Sequence, residues 1–145
     1  MNGISSLENT TVVVTGATGF IGSHLVDYLV EYGCTVHALV RETSDQKWLN
    51  KSDQVKVYVV DLLQASPIPC LQEADYLFHC AGLTKAKTRD DYFFGNVNTC
   101  ETLYERCVAI GTNLKAIIHL SSLAAAGPSV QGEPAQEKNS CKPVT

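Results

Sequence analysis

The chain has 145 residues, enough for one domain with a substantial core. Apolar residues make up 45% and charged residues 18%, a composition typical of globular proteins and not of disordered segments. The net charge of −4 argues against a nucleic-acid partner, and no apolar stretch approaches the roughly 18 residues needed to cross a bilayer.

The six cysteines do not follow a metal-binding or disulfide pattern. No Cys-x-x-Cys pair occurs, and Cys34, Cys80 and Cys107 fall inside apolar segments. Such positions are typical of reduced, partly buried thiols. The first residues also carry neither the basic segment nor the apolar segment of a secretory signal. We therefore expect a cytoplasmic protein without a metal site.

β-like and helix-like segments alternate along the chain. The predicted strands are 11–15, 35–40, 55–60, 75–79 and 115–121, and the predicted helices are 20–32, a short one at 44–50 and a long one at 90–110. Pro67 and Pro69 leave room for only a short helix between the third and fourth strands. The alternation predicts a doubly wound parallel α/β sheet in the order 3-2-1-4-5. Residues 127–145 are polar and rich in proline, and we expect a loop or tail there.

The first predicted strand runs into Thr-Gly-Ala-Thr-Gly-Phe-Ile-Gly, residues 15–22. Gly16 permits a tight turn, Gly19 permits a ligand to approach, and Gly22 permits the helix to pack closely. The free N–H groups and the dipole at the start of the following helix favour a pyrophosphate. We therefore expect a dinucleotide at this turn. The residues expected to contact it are Gly16, Thr18, Gly19, Phe20, Ile21 and Gly22.

The second predicted strand ends where an acidic residue would bind the adenosine ribose of NAD, but Val40 and Arg41 stand there. A cation at this point favours the additional phosphate of NADP, and Thr43 and Ser44 could donate hydrogen bonds to it. The alternative is that Glu42 binds the ribose of NAD. We predict NADP and keep NAD as the alternative.

The ends of the later strands carry further candidate residues. Asp61 can accept a hydrogen bond from the adenine amino group, or it can simply begin a turn. Ala81 and Gly82 are small enough for the backbone to approach a cofactor closely. Ser122 follows the fifth strand, where its hydroxyl could polarise a substrate carbonyl.

These motifs together resemble the extended short-chain dehydrogenase/reductases, also called the NAD-dependent epimerase/dehydratase family. The glycine motif is followed, in the family's order and spacing, by Asp61-Leu62, residues 78–82, Asn96-Val97 and residues 120–122. Residues 36–41 resemble the dihydroflavonol-reductase branch, which commonly uses NADP.

The resemblance implies roles for several of these residues. Ser122 matches the active-site serine or threonine, and Asn96 matches the asparagine that supports the proton relay or the cofactor site. Asp61, Leu62, Ala81 and Gly82 match positions at the cofactor.

Two departures from the family pattern stand out. Ala126 occupies the position where sugar-nucleotide epimerases often carry Tyr, and Thr99-Cys100 replaces the usual Gly-Thr.

The family's Tyr-x-x-x-Lys pair does not occur in the chain. We therefore expect the N-terminal part of a longer protein, truncated before the catalytic helix and the substrate-binding lobe and inactive by itself. The expected function is that of the NAD(P)-binding domain of an oxidoreductase or epimerase/dehydratase. Such an enzyme transfers a hydride to or from a small hydroxyl or carbonyl substrate. The alternative is a non-catalytic dinucleotide-binding module with a regulatory or structural role. The fifth strand, left as an apolar edge, favours a homo-oligomer.

Overall fold

The computed structural model describes residues 7–64, 66–129 and 132–143. Its five parallel strands form one sheet in the order β3-β2-β1-β4-β5, as the sequence predicts. The strands are β1 (Thr11–Thr15), β2 (Thr35–Val40), β3 (Val55–Val59), β4 (Tyr76–His79) and β5 (Ala116–His119). The α-helices are α1 (Phe20–Glu31), α2 (Arg89–Phe93), α3 (Thr99–Ile110) and α4 (Leu123–Ala126).

The core lies on both faces of β1. Val12 and Val14 belong to a buried cluster that also contains Val26 and Leu29 of α1. Val13 points to the opposite face and belongs to a second cluster with Leu103 of α3. A central parallel strand covered by helices on both sides accounts for the continuous Val-Val-Val run in this strand.

The prediction of a short helix at 44–50 is wrong. The structure has turns there, and nearly all of this segment is exposed apart from the buried Leu49. The Asp45 carboxylate accepts a hydrogen bond from the backbone N–H of Lys47 at 3.0 Å, which favours a turn over a helix. A segment with one buried apolar side chain has no apolar face with which a helix could pack.

The long helix predicted at 90–110 is not continuous. A π-helical segment (Phe94–Asn98) separates α2 from α3. Within it, Asn96 makes hydrogen bonds to the backbone of Leu83, and a Cβ at Gly95 would collide with the Leu83 side chain. The widened turn fits this close approach, and π-helical turns are frequent at functional sites.

The C-terminal part contains α4, which the sequence analysis missed. Beyond it, the described residues of 127–143 form turns and bends but no helix or strand. The expectation of a tail at 127–145 stays a prediction, and residues 130–131 and 144–145 lie outside the described residues. In the described part of the chain, no helix combines the length and apolarity that a bilayer crossing requires.

Candidate functional site

The glycine turn connects β1 to α1 in a narrow space. Gly16 has a φ of +66°, and a Cβ there would lie 2.7 Å from the backbone nitrogen of Ala81. A Cβ at Gly22 would collide with the Gly16 carbonyl oxygen. Gly19 is less confined, because its added Cβ would lie 3.2 Å from that same oxygen and meet no other atom within 4 Å. The first and third glycines therefore shape the turn, and the second leaves open space in front of it.

The start of α1 is free to bind an anion. Gly19 is the N-cap and supplies no side chain, and no acidic residue lies in the first turn. An α-helix leaves the N–H groups of its first turn without acceptors inside the helix, and its dipole places partial positive charge there. The turn thus has the geometry of a phosphate-binding elbow.

A cavity of about 630 Å³ opens in front of this turn, along the carboxyl edge of the sheet. It lies where the chain connections on either side of β1 run in opposite directions, which is where doubly wound sheets bind ligands. Predicted residues that line it are Gly16, Thr18, Gly19, Arg41, Asp61, Leu62, Ala81 and Gly82. Predicted residues outside the lining are Phe20, Ile21, Gly22, Asn96 and Ser122.

The loop after β2 presents polar groups to the cavity. Arg41, Thr43 and Ser44 line it, and Glu42 does not. The backbone N–H of Arg41 donates to Ser44 Oγ at 3.1 Å, which leaves the hydroxyl hydrogen of Ser44 available as a donor. The acidic residue in the lining of this loop, Asp45, forms an ion pair with Lys47 at 3.4 Å.

Asp61 lines the cavity and also forms a local turn. Its Oδ1 accepts from the Leu63 N–H and its Oδ2 from Gln64 Nε2, both at 3.0 Å. Each carboxylate oxygen can accept more than one hydrogen bond, so the turn leaves capacity for a ligand donor. Both readings of Asp61 from the sequence are therefore compatible with its geometry.

Asn96 holds one wall of the cavity in place. Its Oδ1 accepts from the Leu83 N–H at 2.8 Å, and its Nδ2 donates to the carbonyls of Leu83 at 3.2 Å and Tyr92 at 3.0 Å. Leu83 and the neighbouring Gly82 line the cavity. The Asn96 side chain therefore positions the loop that follows β4, and this loop in turn lines the cavity.

The comparison with protein families matches residues 12–145 to the model described as the NAD dependent epimerase/dehydratase family. The chain belongs to this family. Its sheet and glycine turn constitute an NAD(P)-binding domain of the kind found in the family's oxidoreductases and epimerases.

Curated relatives match most of this chain. The ceramide reductase of Caulobacter vibrioides (strain NA1000 / CB15N) is 33% identical over 88% of the chain and 39% of the relative. The 3 beta-hydroxysteroid dehydrogenase type 7 of Rattus norvegicus is 29% identical over 90% of the chain and 41% of the relative. The chain therefore spans about two fifths of the length of these relatives.

A solved structure carries the same fold. The UDP-N-acetylglucosamine 4-epimerase from Methanobrevibacter ruminantium M1, in complex with UDP-N-acetylmuramic acid, is 28% identical with a TM-score of 0.82. The alignment covers 95% of this chain and 46% of that one. This likeness agrees with the sheet order.

Ser122, which the family resemblance places in the active site, lies outside the cavity lining. It is the N-cap of α4, and its Oγ accepts from the Ala124 N–H at 3.2 Å. The hydroxyl hydrogen remains available to a substrate oxygen. The assignment of Ser122 to catalysis stays a prediction.

Sequence reasoning missed part of the cavity wall. Asp91, Phe94, Gly95 and Thr99 line it from α2, the π-helical segment and the start of α3. The sequence predicted one unbroken helix in this region. A continuous helix gave no reason to expect these residues beside the loop after β4. The Gly95-Asn96 pair was the available signal, because glycine and asparagine interrupt helices more readily than most residues do.

Proposed function

We propose that this chain is the cofactor-binding domain of an NADP-dependent oxidoreductase that acts on a hydroxyl or carbonyl group of a small molecule. The observation that carries the proposal is the cavity, which is lined by both the glycine turn and Arg41. Curated relatives named as a reductase and a hydroxysteroid dehydrogenase support the oxidoreductase class. Because the chain spans only part of these relatives, the activity is proposed for the whole protein.

The preference for NADP rests on the loop after β2. Arg41 is exposed at the cavity, and among the described residues no carboxylate forms an ion pair with it. Thr43 and Ser44 add two hydroxyl groups to the same loop. A guanidinium with adjacent hydroxyl donors suits a phosphate better than a ribose diol. Glu42, which would favour NAD, is not among the residues that line the cavity.

The proposed chemistry assigns a separate task to each part of the site. The bound nicotinamide supplies or accepts the hydride. The glycine turn binds the pyrophosphate, and the small residues Ala81 and Gly82 allow the backbone to approach the cofactor. Ser122 donates its hydroxyl hydrogen to the substrate oxygen and orients it. We propose that a Tyr–Lys pair of the whole protein, outside these 145 residues, exchanges the proton with that oxygen.

A sugar-nucleotide epimerase is the second candidate, since solved structures of such enzymes share the fold. Ala126 favours the oxidoreductase, because sugar-nucleotide epimerases often carry Tyr at this position.

The cytoplasm is the proposed location, and it is supported by six cysteines that are all free thiols.

The cofactor preference is tested by calorimetric titration of the chain with NADP and with NAD. We expect tighter binding of NADP, and we expect Arg41→Ala to remove the difference. Charge-assisted hydrogen bonds contribute about 1.5–3 kcal/mol, which corresponds to roughly a 10- to 150-fold loss in NADP affinity with little change for NAD. Arg89→Ala is the matched control, because Arg89 lies over the Phe93 ring outside the cavity. Equal or tighter binding of NAD by the unmutated chain would contradict the proposal and implicate Glu42.

A further inference from the structure

Three side chains of metal-ligand type meet beside the cavity. His79 ends β4, Cys100 lies in the first turn of α3, and His119 ends β5. His79 Nε2 is 3.2 Å from Cys100 Sγ, which is 4.0 Å from His119 Nδ1. The three potential ligand atoms all lie within 4.8 Å of one another.

The sheet itself brings the two imidazoles together. Thr15, His79 and His119 occupy neighbouring register positions on β1, β4 and β5. Side chains at such positions emerge on the same face of a parallel sheet. Cys100 then reaches them from α3, which packs on that face with Leu103 in the same core cluster as Leu77.

His79 is held in the orientation that a metal ligand needs. Its side chain is 1% exposed, and its Nδ1 lies 2.7 Å from Thr15 Oγ1. This contact occupies one ring nitrogen and leaves Nε2 directed at the Cys100 sulfur. Metal-binding histidines typically have such a second hydrogen-bond partner, which fixes the ring and its tautomer.

The opposite side of the cluster is open. His119 and Cys100 are both more exposed than His79, and the Tyr104 hydroxyl is 2.6 Å from His119 Nδ1. An ion can therefore enter from solvent. Water or the Tyr104 hydroxyl can occupy a fourth position.

We propose that His79, Cys100 and His119 bind one Zn²⁺ ion that links β4, α3 and β5. Two imidazole nitrogens and one thiolate suit this borderline-soft cation. Zinc bonds of about 2.0–2.1 Å to nitrogen and about 2.3 Å to sulfur in a tetrahedron place the ligand atoms roughly 3.5 Å apart. The 3.2 Å between His79 Nε2 and Cys100 Sγ is close to this value, and the 4.0 Å between Cys100 Sγ and His119 Nδ1 is somewhat longer.

Binding exchanges a proton for the metal. The Cys100 thiol loses its proton to solvent as the Zn–S bond forms. No oxidation or reduction takes place.

Sequence spacing did not reveal the cluster, because its members are 21 and 19 residues apart on three different elements. One signal was present. Cys100 stands where the family pattern has Thr, and that departure supplies the sulfur ligand.

The test is a calorimetric titration of the full chain with Zn²⁺ under a thiol-free reductant, in two buffers of different ionisation enthalpy. We expect one bound ion per chain and net proton release. Replacing a residue that only hydrogen-bonds to a metal ligand lowers metal affinity by about 10- to 100-fold. Cys100 and His119 are proposed as ligands themselves, so we expect Cys100→Ser and His119→Gln to weaken Zn²⁺ binding by about 100-fold or more.

Cys141→Ser and His24→Gln are matched controls, because each removes the same kind of donor outside the cluster. Both should bind Zn²⁺ as the unmutated chain does. Zn²⁺ should also raise the melting temperature of the unmutated chain and protect Cys100 from alkylation.

A Co²⁺ titration of the unmutated chain provides a readout that does not depend on how the variants fold. A sulfur-to-cobalt charge-transfer band is expected. Absence of that band, absence of stoichiometric Zn²⁺ binding, or unchanged affinity in a folded Cys100→Ser variant would each overturn the proposal.

Discussion

At the residue scale, substitution of two glycines in the same turn should affect different properties. A change at Gly19 should affect dinucleotide binding, and a change at Gly22 should affect stability. A Cβ at Gly19 would meet only the Gly16 carbonyl oxygen, at 3.2 Å, and no other atom within 4 Å. We expect Gly19→Val to weaken dinucleotide binding beyond calorimetric detection, because the isopropyl group takes the place of the pyrophosphate. The circular dichroism spectrum should remain that of the unmutated chain.

Gly22→Ala provides the contrast. Its methyl group would collide with the Gly16 carbonyl oxygen, so the turn or the helix must move. Overpacking of this kind costs about 1–3 kcal/mol of unfolding free energy.

Undiminished dinucleotide binding by Gly19→Val would remove the turn from the candidate site.

At the element scale, the π-helical segment and the loop after β4 depend on the Asn96 side chain. Asn96→Ala removes three hydrogen bonds to backbone groups of Leu83 and Tyr92. We expect a loss of about 1–3 kcal/mol in unfolding free energy, measured by urea denaturation. We also expect weaker dinucleotide binding, since Leu83 and Gly82 line the cavity.

Asn98→Ala is the matched control, because Asn98 is exposed and makes no side-chain capping bond to α3. It should leave both stability and binding nearly unchanged. If the two variants behave alike, Asn96 does not hold the cavity wall.

The amino edge of the sheet contains an ion pair with a defined pH window. Asp75 accepts from the Thr11 N–H at 2.9 Å and pairs with Lys115 at 2.8 Å, which connects β1 with the residues that precede β4 and β5. Hydrogen bonding to Lys115, and then to the Thr11 N–H, lowers the pKa of Asp75 below 3.8, and the Asp75 partner raises the pKa of Lys115 above 10.5.

A carboxyl with a lowered folded pKa stabilises the fold above its unfolded pKa and loses that contribution as the pH falls through the folded value. An amine with a raised pKa loses its contribution as the pH rises through its folded value. The pair should therefore stabilise the fold between about pH 3.8 and 10.5. In thermal melts, Asp75→Asn should be less stable than the unmutated chain at pH 7, and the difference should narrow below pH 3.8. A difference that does not change with pH would exclude a role for the charge.

At the scale of the whole molecule, β5 is an edge strand of the described sheet with an apolar surface. Ile117 is 42% exposed, Ile118 39% and Leu120 44%. Unprotected edges of this kind pair with other chains. We expect the chain to self-associate in sedimentation experiments, with an average mass that rises with concentration above the 15.7 kDa monomer.

Ile118→Lys should reduce this association by about tenfold or more, because a charge on the edge opposes strand pairing. Val108→Lys is the control, since Val108 is 82% exposed and lies on α3 rather than on a strand. A strictly monomeric unmutated chain would contradict the expectation.

The sequence by itself determined the sheet order, the glycine turn and the edge of the sheet at which the candidate cavity lies. These features depend on local signals: an apolar run such as Val12–Val14, a glycine that adopts positive φ, and the handedness of strand–helix–strand connections. Arg41, Asp61 and Ala81 could be placed at the cavity because the ends of parallel strands share one edge.

Only the tertiary structure decided which polar side chains meet. In the π-helical segment, Asn96 forms hydrogen bonds with a loop 13 residues earlier in the chain. His79, Cys100 and His119 converge because strand register and helix packing bring three distant segments onto one face of the sheet. Such contacts depend on distances between elements, which the one-dimensional spacing of residues does not contain.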